Sequence, residues 1–211
     1  MRIRIFVYDG ADELDFIGPW EVLQRAASLH PNVEVALVTA EGSEAVTAQH
    51  GLRLIPQGRF DGSADLVLLP GGGYVGNAEF GVRREIARGV LGGIARALHQ
   101  QGAVVAGVCT GTMILAAAGL LDGRSATTHH SAMDDLRRTS ALVRSNRIVD
   151  DGDILTCGGV TSGLDLAFWM VERFFGAPMA EQIAKFMEYT PNRDVYCAQQ
   201  IAAQSRPEVP G

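Results

Sequence analysis

Short apolar runs alternate along this chain with longer stretches in which apolar residues recur every three or four positions. Arg2-Ile3-Arg4-Ile5-Phe6-Val7 alternates at its start, and residues 3–8 read as a first strand. Residues 15–29 follow as a helix with Gly18-Pro19 in its first turn. Proline is tolerated there because the N–H it removes would be unpaired anyway. Residues 33–40 form a second strand, and 46–47 with 52–55 flank the polar Gln49-His50-Gly51 as a short edge hairpin. Residues 66–69 make a compact apolar strand, ended by Pro70-Gly71-Gly72-Gly73. Val82, Ile86, Val90, Ile94 and Leu98 mark one face of a single long helix, with Ala87 and Leu91 beside them.

Residues 103–108 are the next buried strand, and an apolar run at 113–118 opens a helix behind it. Residues 142–149 and 153–156 read as strands joined by the hairpin turn Asp151-Gly152. Leu164, Ala167, Phe168, Val171 and Phe174 give another amphipathic helix, stopped by Gly176-Ala177-Pro178. A last helix runs to about Tyr189, before Pro191. Strands of continuous apolar character alternating with helices predict an α/β fold: a mostly parallel sheet covered by helices on both faces. The 211 residues fit one domain, with a loose proline-containing tail at about 204–211.

Composition narrows the function classes. Eighteen basic against 24 acidic residues give a net charge of −6, which speaks against nucleic acid as a partner. No apolar stretch reaches the length of a membrane span, and the start resembles a strand rather than a signal peptide, so a cytoplasmic location is expected. The three cysteines, Cys109, Cys157 and Cys197, have no paired spacing that would suggest a disulfide framework. Neither a metal-ligand signature nor a phosphate-binding glycine motif is present, so metal-free, cofactor-free chemistry is expected.

The chemistry concentrates at Gly107-Val108-Cys109-Thr110-Gly111, between a strand and a helix. Flanking glycines permit the tight strand-to-helix turn that exposes a nucleophile. The helix start behind Cys109 is expected to lower its pKa. In open α/β sheets the ligand site lies beyond the carboxyl ends of the strands. Residues 9–15, 71–73 and Cys109 all follow strands and so belong at that edge. Asp15 is the candidate proton donor and acceptor, sharing a proton with Cys109 and raising its proton affinity, as Cys109 raises that of Asp15. The backbone N–H groups of Gly72 and Thr110 are the candidate substrate-binding donors.

Together with Leu14-Asp15-Phe16-Ile17-Gly18-Pro19, Leu69-Pro70-Gly71-Gly72-Gly73, Ala126-Thr127-Thr128-His129 and Gly158-Gly159-Val160-Thr161-Ser162-Gly163, that turn resembles the DJ-1/PfpI superfamily. The resemblance is strongest to its isocyanide hydratase branch and covers residues 2–190. It implies a flavodoxin-like three-layer sandwich with a nucleophile elbow, usually a homodimer. It also implies that Cys109 attacks the terminal carbon of an isocyanide, that Asp15 is the acid, and that a thioimidate is hydrolysed to an N-substituted formamide. Thr110 stands where peptidase-like and deglycase-like members carry histidine, which lowers the proteolytic reading. Ile17 replaces an expected small residue near Asp15.

Competing assignments follow from the same residues. Glu13 and Glu21 rival Asp15, although Glu21 falls on another helix face. His129 and His130 suggest a Cys–His dyad but read more simply as ordinary strand-end histidines. Asp165 is expected to order the first turn of its helix, and Cys157 and Cys197 to be packed or surface residues. Phe16, Trp20, Tyr74 and Phe168 are candidates for an apolar pocket wall. The functional alternatives are a ligand-sensing module, for which 211 residues leave no room for an attached DNA-binding domain, and a redox-stress protein whose cysteine is oxidised.

Overall fold

A computed structural model describes residues 1–42, 44–76 and 78–198; the expected loose tail lies outside the described residues. In chain order the elements are β1 (Arg2–Phe6), α1 (Glu13–Leu29), β2 (Glu34–Thr39), β3 (Val46–Thr47), β4 (Arg53–Leu54), β5 (Gly58–Arg59) and β6 (Leu66–Leu69). Next come α2 (Val82–Arg88), α3 (Val90–Gln100), β7 (Val104–Gly107), α4 (Thr112–Ala117), β8 (Ser125–Ala126), α5 (Met133–Arg137) and β9 (Leu142–Val143). The order continues with β10 (Ile148–Asp150), β11 (Ile154–Cys157), α6 (Ser162–Phe175), α7 (Ala177–Phe186) and β12 (Val195–Cys197).

Eight strands form the main sheet in the order β12-β10-β11-β7-β6-β1-β2-β5. Every pairing is parallel except the β10–β11 hairpin, which the Asp151-Gly152 turn closes. Helices α1, α6 and α7 pack together as one layer and α2, α3 and α4 as another, giving the flavodoxin-like sandwich. β6 is buried along its whole length, as a central strand between two helical layers must be.

Local chemistry moves several boundaries from their expected places. Asp12 caps α1 by accepting the Leu14 N–H at 3.1 Å, so the helix opens at Glu13 and Pro19 falls past its first turn. The N–H that Pro19 lacks is therefore one that the Asp15 carbonyl would otherwise receive. The single long helix is two: Gly89, at φ 68°, ends α2 in a left-handed cap and starts α3 on a new axis. Residues 142–149 are not one strand, because polar Arg144-Ser145-Asn146-Arg147 interrupts it. Its first part pairs with β8 in a separate two-stranded sheet, and its last part joins the main sheet. The β3–β4 hairpin is likewise a separate ribbon, and α7 ends at Phe186, before Tyr189. Cys197 lies buried in edge strand β12.

Candidate active site

The sheet order places β7, β6 and β1 side by side, so the loops at their carboxyl ends meet as expected. Backbone bonds stitch them together. Asp12 N–H donates to the Gly71 carbonyl at 2.9 Å, and Gly71 N–H donates to Asp15 Oδ2 at 2.8 Å. Gly71 permits this approach because a Cβ there would lie 2.6 Å from Thr110 Oγ1 and 2.8 Å from Asp15 Oδ2. No larger residue fits between the carboxylate and the cysteine turn.

Cys109 opens a 3₁₀ turn (Cys109–Gly111) ahead of α4 with φ 55°, a conformation that costs a non-glycine residue about 1–3 kcal/mol. Its neighbours hold it there. Cys109 N–H donates to the Gly158 carbonyl at 3.0 Å, and the Thr128 hydroxyl donates to the Cys109 carbonyl at 2.8 Å. The chain thus forms the elbow expected from its glycine-flanked motif. Val160, at φ 33°, turns toward the same point, and its N–H and that of Thr110 are directed at the Cys109 sulfur.

The electrostatics differ from the expectation in two respects. The Cys109 thiol is pushed up to about 12, first by burial and then by the charge of Asp15, against the pull of the Val160 and Thr110 N–H groups. Helix α4 spans only six residues, and its dipole does not offset the loss of solvent. Asp15 has no exposed surface, and its carboxyl is raised to about 8 by burial and then by the charge of Asp12. The Gly71 N–H and the Cys109 thiol partly oppose that rise. Asp15 therefore raises the proton affinity of Cys109, whereas the thiol lowers that of Asp15 rather than raising it. Asp15 Oδ1 has no hydrogen-bond partner among the described residues. Both shifts favour the protonated forms, a carboxylic acid beside a thiol.

Cys109 faces a cavity of about 380 Å³ walled by Gly72, Gly73, Tyr74, Val75 and Ala78 on one side and His129, Ser131 and Val160 on another. The Gly72 N–H donates to Thr110 Oγ1 at 3.1 Å, so it braces the elbow and is not a free substrate donor. Tyr74 lines the cavity, its hydroxyl anchored on Asp135 Oδ2 at 2.7 Å. Phe16 and Phe168 are core residues instead, and Trp20 is half-buried away from the cavity. Ile17 lies on the outer surface of α1, not in the cavity.

His129 is part of the site after all. Its Nδ1 accepts the Ser131 N–H at 3.2 Å, which leaves the proton on Nε2, and partial burial lowers its pKa, so it stays neutral. His130 is exposed. Glu13 is tied outward to His50, whose Nδ1 lies 2.6 Å from its Oε2, and Glu21 pairs with Arg25, so neither competes with Asp15. Asp165 does not cap its own helix: it binds Arg147 Nε at 2.6 Å, the Tyr189 hydroxyl at 2.9 Å and the Asn192 N–H at 2.7 Å. Cys157 is buried beneath Cys109, and burial pushes its thiol far above the ordinary range.

Sequence reasoning passed over Asp12, Gln49, Ser131 and Val160. Two of them carried a signal: Asp12 lies in the segment that follows β1, and Val160 follows the Gly158-Gly159 pair after β11, both at the same sheet edge. Among the described residues no group of three or more His, Cys, Asp or Glu side chains is placed to hold a metal ion, and no helix is long and apolar enough to cross a membrane.

Comparison with known proteins finds relatives along most of the chain. The chain is 34% identical over 193 residues to isonitrile hydratase of Pseudomonas putida, covering 90% of this chain and 79% of that protein. It is 27% identical over 191 residues to protein DJ-1alpha of Drosophila melanogaster, covering 88% and 83%. The crystal structure of a ThiJ/PfpI family protein from Pseudomonas syringae superposes with a TM-score of 0.80 at 27% identity, covering 90% of this chain and 76% of that one. Residues 1–173 match the DJ-1/PfpI family as a whole, elbow, glycine loop and buried aspartate included. With that match over most of its length, the chain belongs to the DJ-1/PfpI family.

Proposed function

We propose that this protein is a cofactor-free isocyanide hydratase with Cys109 as nucleophile and Asp15 as its proton partner. One observation carries the reading: a fully buried carboxyl, held by the Gly71 N–H beside the cysteine elbow, where burial favours the protonated acid next to an un-ionised thiol. Such a pair suits a reaction that adds S–H across one carbon and needs no free thiolate. The 34% identity to an isonitrile hydratase supports the same choice.

The chemistry balances with these groups alone. The sulfur of Cys109 bonds to the terminal isocyanide carbon, that carbon takes the acid proton of Asp15, and Asp15 recovers the thiol proton. The product is a thioimidate, R–N=CH–S–Cys109, with Asp15 still protonated. Water then adds to the same carbon, with Asp15 giving its proton to the imine nitrogen and taking one from the water. Cleavage of the C–S bond releases the N-substituted formamide and restores the thiol. Thr110 and Val160 N–H groups steady negative charge on sulfur as that bond breaks.

The high proton affinity of Cys109 weighs against a peroxide sensor, because the thiolate is the form that peroxide attacks. The resemblance further suggests a homodimer, which size-exclusion with light scattering tests. The function itself is tested with a simple alkyl isocyanide, following formamide release. The wild type is expected to turn over and Cys109→Ala to fall to background. Undiminished turnover by Cys109→Ala overturns the mechanism, and no turnover by the wild type overturns the reaction.

A further inference from the structure

A second cavity of about 430 Å³ adjoins the one that Cys109 faces. The two share Gln49, Gly73 and Ala78 as common walls, so only a thin partition separates them. Its polar part is one hydrogen bond, from the Gly73 N–H to Gln49 Oε1 at 2.8 Å. Gln49 is exposed, so both groups can exchange that bond for water at little cost. The Gln49 backbone is fixed meanwhile, its N–H donating to the Ala11 carbonyl at 2.9 Å. The side chain is thus a movable divider on a fixed hinge point.

An isocyano group is linear, so the R group of a substrate whose terminal carbon touches Cys109 is held rigidly away from the reacting carbon and must cross the first cavity toward one of its walls. We propose that the second cavity receives the distal part of that R group, with Gln49 setting the length admitted. This inference rests on the hydratase reading. Phe80 and Ala78 offer an apolar wall, while Asp9 and Glu79 place two carboxylates around the chamber and, among the described residues, no Lys, Arg or His lines it. The occupant that fits is an extended alkyl chain ending in a neutral or cationic group. An anionic end would be partly desolvated against like charge.

The test compares kcat/KM for cyclohexyl isocyanide with that for a linear six-carbon isocyanide ending in an amine, and for its carboxylate-ended counterpart. In the wild type the amine is expected to exceed the carboxylate at least tenfold. Thr47→Trp, which fills only the second cavity, is expected to lower the long-to-short ratio at least tenfold. Gln49→Ala is expected to raise that ratio several-fold, and decides alone should the tryptophan variant not fold. A ratio that stays put in the folded variants overturns the inference and leaves the hydratase reading standing, whereas failure of the wild type to turn over cyclohexyl isocyanide overturns both. Equal turnover of the two charged ends overturns the assignment of charge.

Discussion

In the proposed reaction Cys109 acts through its position rather than through ionisation. Its φ of 55° and the N–H groups of Thr110 and Val160 present the sulfur to the cavity, while burial and Asp15 keep it protonated. A thiol of this kind is predicted to alkylate slowly with iodoacetamide between pH 7 and pH 9, far more slowly than an ordinary cysteine. Removing the neighbouring charge in Asp15→Asn lowers the thiol's proton affinity and is expected to speed alkylation at pH 9 several-fold. Equal rates in the two proteins would mean that Asp15 does not act on the sulfur. Hydratase activity should run the other way, falling as pH rises through about 8, where Asp15 ceases to be an acid. A profile rising through that range would point to a thiolate mechanism instead.

Among the elements, the glycine loop after β6 governs the site. A methyl group on Gly71 would meet both Thr110 and Asp15, so Gly71→Ala must push the carboxylate and the elbow apart. Displacement of reacting groups by about 1 Å can cost about 100-fold in rate. A loss of that order in kcat/KM is expected, with destabilisation of about 1–3 kcal/mol from overpacking. Near-wild-type kinetics would show that the loop has slack. The sequence disclosed this loop and the elbow because backbone needs confine such positions to glycine. Asp15 was legible as a carboxylate at a helix start beside a strand end. Its protonation was not, since burial depends on α6 and on the sheet order, which spacing leaves open. His129 looked like an ordinary strand-end residue because its neighbours across the cavity, Val160 and Tyr74, are distant in the chain. The break at Gly89 was missed because the apolar period continues across it, while the left-handed backbone does not.

At the scale of the whole molecule, a buried acid is a stability liability that depends on pH. The Asp15 carboxyl moves from an ordinary 3.8 to about 8 on folding. Between those values the unfolded chain has lost this proton and the native protein keeps it, so native stability declines as pH rises. The contribution is intact below about pH 4 and fully lost above about pH 8. Denaturation curves of the wild type and Asp15→Asn, compared from pH 4 to pH 9, should diverge steadily in favour of the variant as pH rises. Parallel curves would place the aspartate's folded pKa near its ordinary value. The sheet order that buries Asp15 therefore also supplies the acid that the proposed chemistry uses. The most direct test of that joint role is intact-mass and peptide mapping of Asp15→Asn after exposure to an alkyl isocyanide. In the variant the thiol's own proton can still pass to the isocyanide carbon, more slowly, but hydrolysis has lost its donor, so a trapped adduct of one isocyanide mass on the Cys109 peptide is expected. An unmodified Cys109, in a variant that still releases formamide, would contradict the account.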